Sequence, residues 1–183
     1  MGGAQGGDGS EVVVHPLEPI FDEASRVLVL GTMPSPKSRE ASFYYGNPQN
    51  RFWRVLYALW GLDLDASEPQ GPDYVARRAF ALERGIALWD VLASCAIRGA
   101  SDSSIAEAVP NDLGRVLGPA PIERVFTTGS TATRLYRRLL ERRCGMPCTP
   151  LPSTSPANAR MRLPDLVAAY VPLREAAGRA REA

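Results

Sequence analysis

The chain is short of the residues from which many sites are built. Among its 183 residues lysine occurs once, at Lys37, and histidine once, at His15. Cysteine is limited to Cys95, Cys144 and Cys148. Three thiols cannot close a disulfide framework, and an all-cysteine zinc or iron–sulfur site would lack its fourth ligand. The lone histidine sits in the N-terminal region, outside every candidate loop, which argues against a histidine-dependent triad or a histidine-rich metal site. A protein of a reducing compartment, without metal or cofactor, is expected. Net charge is scarce too: 21 Lys and Arg against 20 Asp and Glu give +1, so any contact with nucleic acid must come from a local patch. The bias to arginine suits bidentate phosphate contacts, but genome composition explains it more simply. No apolar run reaches the length of a membrane span, and the glycine-rich start lacks the charged-then-apolar order of a signal peptide. A cytoplasmic protein is expected.

What is present is an alternation of apolar runs and helical periodicity. The length allows one domain with a substantial core. Residues 1–10 read as a disordered tail and 11–183 as a single domain. Val27-Leu28-Val29-Leu30 is the first predicted strand, followed by strands over 86–92, 124–128 and 146–151. Helices are predicted over 51–60, 72–84, 131–143 and 163–180, with a short one, capped by Asn111 or Asp112, ending near Gly118. Residues 31–50 carry Gly, Pro and Ser with little periodicity and read as a long functional loop; residues 94–104 read as a polar loop. Strands alternating with helices imply a three-layer α/β/α sandwich around a central four-stranded, mainly parallel sheet. Such a sheet gathers the loops 31–50, 94–104, 128–130 and 153–158 at its carboxyl edge.

The first loop has neither the glycines nor the lysine of the phosphate-binding motifs. It offers backbone donors beside Gly31, hydroxyls at Ser35 and Ser38, the rings of Phe43, Tyr44 and Tyr45, and amides at Asn47 and Asn50. The last loop adds three hydroxyls, two prolines and Asn158. This inventory suits a flat, uncharged heterocycle better than a metal-bound phosphate. Asn50 is either the cap of the helix that follows or a catalytic amide. Tyr45 either stacks on a ligand or packs the loop, and Phe52 is either helix core or pocket wall. Asn158 either serves the loop or caps the last helix. Asp90 and Asp102, the carboxylates nearest the edge, read as solvated or loop-bracing groups. Arg51, Arg98 and Arg160 read as surface residues within reach of a phosphate backbone. The run Arg137, Arg138, Arg142 and Arg143 reads as a solvated face far from the loops, and Cys95 as buried and inert.

Five stretches resemble the uracil-DNA glycosylase superfamily, in particular its hypoxanthine-DNA (DNA-deoxyinosine) glycosylase branch. They are Val27-Leu28-Val29-Leu30-Gly31-Thr32-Met33-Pro34-Ser35, Phe43-Tyr44-Tyr45-Gly46-Asn47-Pro48-Gln49-Asn50-Arg51-Phe52-Trp53, Trp89-Asp90-Val91-Leu92, Val109-Pro110-Asn111-Asp112 and Leu151-Pro152-Ser153-Thr154-Ser155-Pro156-Ala157-Asn158. The block from Tyr45 to Trp53 and the closing loop are the specific ones.

The resemblance implies a monofunctional enzyme that flips a deaminated base out of DNA and hydrolyses its N-glycosidic bond, hypoxanthine first and uracil second, without metal or cofactor. Its partner would be double-stranded DNA, with single-stranded DNA as an alternative, and a monomer is expected. Related branches place a carboxylate or amide about two residues after the first glycine to position water; here Thr32 and Met33 stand there, and Asn50 is the substitute. Gly31, Thr32, Met33, Tyr45 and Phe52 would form the base pocket. Ser35, Ser153, Thr154, Ser155, Pro156, Ala157 and Asn158 would hold DNA, with Pro156 and Ala157 as the wedge. With Lys37 the only lysine, a Schiff-base lyase step is not expected. The rivals are a mismatch-directed uracil or thymine glycosylase, a catalytically silent DNA- or nucleobase-binding module and, weaker for want of a nucleophile–base pair, a small-molecule hydrolase using Asp90.

Overall fold

Residues 27–31 form a strand buried along its whole length, as a continuous apolar run does when both faces of a parallel sheet are covered. The computed structural model describes residues 10–98 and 104–182; the expected tail, apart from Ser10, and Asp102 lie outside them. In chain order the strands are β1 (Glu11–Val14), β2 (Val27–Gly31), β3 (Ile86–Asp90), β4 (Leu92–Ile97), β5 (Ala106–Pro110), β6 (Arg124–Thr128) and β7 (Cys148–Leu151). The helices are α1 (Pro36–Glu40), α2 (Phe52–Leu59), α3 (Leu64–Ser67), α4 (Tyr74–Glu83), α5 (Gly114–Leu117), α6 (Ser130–Tyr136), α7 (Arg142–Cys144), α8 (Leu163–Ala169) and α9 (Val171–Glu182).

The central sheet has four parallel strands in the order β3-β2-β6-β7. From β2 the chain runs outward to β3, then crosses back to β6 on the other side of β2. This reversal puts helices on both faces and opens a crevice between β2 and β6, where an open α/β sheet binds its ligand. Helix α4 packs on β3, α6 on β6 and β7, and α9 on β2, while α2 lies against α8. The core runs from the fully buried Leu28 and Leu30 through Phe126 to Phe52, Trp53 and Leu56.

Three expectations are corrected. The segment 94–104, expected as a polar loop, begins as a strand: β4 pairs antiparallel with β1 and β5 in a second, three-stranded sheet. Its partner β1 lies some eighty residues away in sequence, and β1 buries only Val13 while Val12 and Val14 face outward, so neither strand shows a strong local signal. The helix expected over 131–143 is interrupted by a π-helical segment, Arg137–Glu141. The helix expected over 163–180 breaks at Tyr170, because Pro172 has no N–H to continue the ladder.

A buried ion pair braces the turn between α3 and α4. Arg77 donates to both carboxylate oxygens of Glu68 at 2.7 to 3.1 Å, and the two side chains are 10% and 5% exposed. The guanidinium also lies 5.8 Å from the Trp53 ring and 5.7 Å from that of Tyr74. Removing one member leaves the other charge buried and unpaired, at a cost of about 3–5 kcal/mol. Glu68→Ala is therefore expected to lose about that much in urea denaturation, with a Glu68→Leu/Arg77→Met double variant recovering most of it. A loss below about 1 kcal/mol would show that the pair behaves as a solvated one.

Candidate functional site

Tyr45 enters the site with φ 53°, a left-handed backbone that an aromatic residue adopts only under constraint from its surroundings. Its ring stacks on Phe52, with centroids 3.8 Å apart and planes at 15°. Its hydroxyl meets Thr128 Oγ1 at 3.1 Å. Burial first, and the nearby Asp90 second, push the phenol well above its ordinary value, so it stays a neutral hydrogen-bonding group. The Tyr45 ring is thus a platform backed by Phe52, at the mouth of the crevice between β2 and β6. Phe52 itself is fully buried and off the cleft wall; it supports the pocket from behind.

The cleft measures about 630 Å3. Of the expected residues, Gly31, Thr32, Met33, Ser35, Tyr45, Asn50, Ser153, Thr154, Ser155, Ala157 and Asn158 line it together, whereas Pro156 is exposed and off the wall. The loop after β2 is fastened by Ser35, whose Oγ accepts from Ser38 N at 3.2 Å and caps α1.

Asn50 both fastens the start of α2 and lines the cleft. Its Oδ1 accepts from Phe52 N at 2.9 Å, fastening the start of α2, and from Thr154 Oγ1 at 2.8 Å. The backbone N–H can only donate, which fixes the amide orientation. Nδ2 is left as a donor at the cleft with no protein partner among the described residues.

Arg51 is no surface residue. Its guanidinium donates to the carbonyls of Thr154 (3.4 Å), Ser155 (3.0 Å), Asn158 (2.9 Å) and Met161, and its backbone N–H to Thr154 O at 3.1 Å. The closing loop braces itself further through Asn158 Nδ2 to Ser153 O at 2.9 Å. Asn158 therefore serves the loop, and does not cap α8. From the last helical pair, the buried Tyr170 donates its hydroxyl to Pro152 O at 2.7 Å. Gly129, at φ 91°, lets β6 turn into α6 directly beneath Ser153; a Cβ there would sit 3.3 Å from that residue's Cβ.

The opposite wall holds a pairing that the sequence does not reveal. Strand β1 carries His15 back to the sheet edge, where Nε2 lies 2.8 Å from Asp90 Oδ2. His15 lies outside every candidate loop, as expected, yet it reaches the site from behind Asp90; a strand pairing across more than seventy residues has no local signature. The Leu17 N–H donates to His15 Nδ1 at 3.2 Å, which leaves the proton on Nε2 and makes the ring a donor to Asp90. The two side chains are 3% and 6% exposed. Asp90 is thus a buried, histidine-braced carboxylate on the cleft wall, not a solvated one. A Cβ on Gly31 would come within 2.3 Å of Asp90 Oδ1, so only glycine admits the carboxylate at this place. Of the two expected helix caps, Asp112 accepts from Gly114 N at 3.0 Å, while Asn111 donates Nδ2 to the carbonyls of Asp90 (3.0 Å) and Leu92 (2.9 Å) and pins the strand exit. Among the described residues, no three of His, Cys, Asp or Glu come together as a metal-binding group.

An open parallel sheet with an aromatic-floored, hydrogen-bonding cleft at its switch point defines the class. The chain belongs to the Uracil DNA glycosylase superfamily, whose sequence signature matches residues 18–173. It is similar to the Hypoxanthine DNA glycosylase of Methanosarcina acetivorans, at 33% identity over 141 residues, covering 77% of this chain and 85% of that protein. It is also similar to the Hypoxanthine DNA glycosylase of Methanosarcina barkeri, at 32% identity over 143 residues, covering 78% and 86%. A solution NMR structure from M. acetivorans, put forward as a uracil DNA glycosylase, superposes with a TM-score of 0.68 at 29% identity, over 88% of this chain and 98% of that one.

The Arg51 clamp has a direct test. In Arg51→Lys the charge remains but one ammonium cannot span the carbonyls of Thr154, Ser155, Asn158 and Met161. Stability is expected to fall by about 2 kcal/mol, with faster amide exchange confined to residues 152–161. Unchanged exchange there would show that the loop holds its shape without the clamp.

Proposed function

We propose that the protein is a monofunctional DNA glycosylase acting on deaminated bases, hypoxanthine before uracil, in duplex DNA. One observation carries this reading: the cleft presents a carboxylate acceptor, Asp90, and an amide donor, Asn50 Nδ2, beside an aromatic platform. Deamination turns a ring nitrogen from acceptor into N–H donor and an exocyclic amine into a carbonyl. That edge needs an acceptor and a donor side by side. Adenine or cytosine would place a lone pair against the Asp90 carboxylate and leave it unsatisfied, a mismatch that polar sites reject strongly. The similarity to the Hypoxanthine DNA glycosylases of Methanosarcina supports the same substrate class.

The geometry supports the following chemistry. The flipped nucleotide stacks on Tyr45, and the closing loop shields the glycosidic bond from bulk solvent. As the bond breaks, positive charge develops on the sugar and negative charge on the departing base. The Asn50 donor, aimed by the Phe52 and Thr154 bonds, stabilises the base carbonyl where that charge collects or holds the incoming water. Water then adds to the sugar and leaves an abasic site. The only lysine, Lys37, is exposed on α1 and off the cleft wall, which supports hydrolysis without a Schiff-base lyase step.

Labelled duplexes carrying one deoxyinosine, one uracil or only normal bases test the reading, in EDTA, with alkali used to reveal abasic sites. Strand cleavage is expected in the deoxyinosine lane first and only after alkali. Cleavage without alkali would overturn the monofunctional assignment, and no release by folded protein would favour a silent binding module. Asn50→Asp keeps both Oδ1 bonds while losing the Nδ2 donor, so single-turnover release should fall about 100-fold with stability near native. Asp90→Asn adds a donor at the acceptor position and is expected to narrow the preference for deoxyinosine over deoxyadenosine; an unchanged ratio would remove Asp90 from base reading.

A further inference from the structure

The chain's total charge of +1 hides a strong local asymmetry. From Ser130 to Cys144 there are five arginines, at 134, 137, 138, 142 and 143, against the single acid Glu141. This run is four charges positive, so the remaining residues together are net negative. The sequence alone suggests a solvated face remote from the loops. The structure places its first part beside the cleft instead. Arg134, Arg137 and Arg138 line an open hollow that shares Gly129, Ser130 and Pro152 with the cleft wall. The hollow and the cleft therefore form one continuous surface around the start of α6.

These three arginines are also uncommitted. All are exposed, and none has an ion pair or side-chain hydrogen bond among the described residues. Several arginines elsewhere are engaged: Arg51 with loop carbonyls, Arg77 with Glu68, Arg54 with Asp65 and Arg162 with Asp165. Three guanidiniums with no internal work, on the most positive stretch of a near-neutral chain, have the charge and the donors to hold phosphate oxygens.

We propose that Arg134, Arg137 and Arg138 form a track for the phosphodiester backbone of duplex DNA on one side of the flipped nucleotide. The proposal rests on the glycosylase reading for the position of that nucleotide. At about 1.5 Å per residue, Ser130 to Arg138 spans about 12 Å and Arg134 to Arg138 about 6 Å. With about 3.4 Å per base step, the track covers about two nucleotides and ends three to four beyond the cleft. The contacts carry no sequence information; they supply affinity and fix the register of the duplex. A protein without a large overall positive field obtains its phosphate contacts here, next to the neutral loops that surround the base.

The test compares the full-length wild type with Arg134→Ala/Arg137→Ala/Arg138→Ala, and with the matching triple lysine variant, after circular dichroism shows all three folded. Binding by fluorescence anisotropy is measured against salt on a long duplex with a central deoxyinosine. Two further duplexes are cut back to about two base pairs on one flank or the other. Removing one phosphate neutralisation lowers the slope of log affinity against log salt by about 0.9. The alanine variant should therefore lose about two to three units of slope, whereas the lysine variant should retain most of the wild-type slope. Truncating one flank should weaken the wild type alone, while truncating the other weakens wild type and alanine variant alike. Single-turnover release at saturating duplex should be unchanged. An unaltered salt slope, or an alanine effect independent of both flanks, overturns the track. If no protein releases base from any duplex, the glycosylase reading falls, while the slope and flank comparison still decides whether the arginines hold DNA.

Discussion

Arg51 joins the two loops on which the cleft depends. Its guanidinium reaches the carbonyls of Thr154, Ser155, Asn158 and Met161, so one side chain at the start of α2 sets the course of the loop leaving β7. Those carbonyls belong to no sheet or helix ladder, and without the guanidinium they would draw water into the loop. Asn50, the preceding residue, is tied to the same loop through Thr154. Consecutive side chains therefore do separate tasks: Arg51 holds the loop's backbone, and Asn50 uses one hydroxyl of that loop to aim its free amide hydrogens. Tyr170 completes the support from the other side through Pro152. The Asn50-Arg51-Phe52-Trp53 block is in this sense a junction more than a motif, since Phe52 also backs the Tyr45 platform.

The sheet order explains why such a junction is possible. With β2 and β6 adjacent and the chain reversing between them, Gly31, Thr128 and the start of α6 arrive at one crevice. Close approach there requires small residues. Gly31 yields its Cβ space to Asp90 Oδ1, and Gly129 lets Ser153 come within contact of the turn. The rigid parallel sheet sets the spacing, and the loops add chemistry to it. Tyr45 bears a left-handed backbone in that setting, a strain of about 1–3 kcal/mol that the Phe52 stack and the Thr128 bond offset.

Much of this architecture is legible in the sequence because its signals are local. The apolar runs at 27–30 and 124–128 and the helical spacing of 52–59 lie where the elements form, and the loops they deliver contain most of the expected cleft residues. What escapes is everything set by long-range pairing. Strand β1 shows only three consecutive valines, and nothing near them states that they pair with β4. The fate of His15 follows from that pairing, so it could not be read either. Arg51 looks like an ordinary helix-start arginine, because bonds to four distant carbonyls leave no periodic trace. Phe52 and Pro156 fall off the cleft wall for simpler reasons: the first lies on the buried stripe of α2, and the second at the outward tip of its turn.

The His15–Asp90 pair carries the argument about selectivity furthest. The superfamily signature begins at residue 18, so the histidine that fixes Asp90, which directly follows β1, lies outside the matched segment. Both ring nitrogens are occupied, Nδ1 by Leu17 N–H and Nε2 by the carboxylate. The imidazole therefore cannot turn to serve the ligand; its part is to hold one oxygen of Asp90 and leave the other facing Gly31. A carboxylate free to rotate could offer either oxygen to many edges, and would lose orientation entropy on each binding event. Held on one side by His15 and crowded on the other by the strand end, Asp90 presents a single acceptor in one direction. In the proposed base-reading role, that fixed and buried acceptor would favour a ring N–H over a ring lone pair by the cost of an unmatched buried polar group.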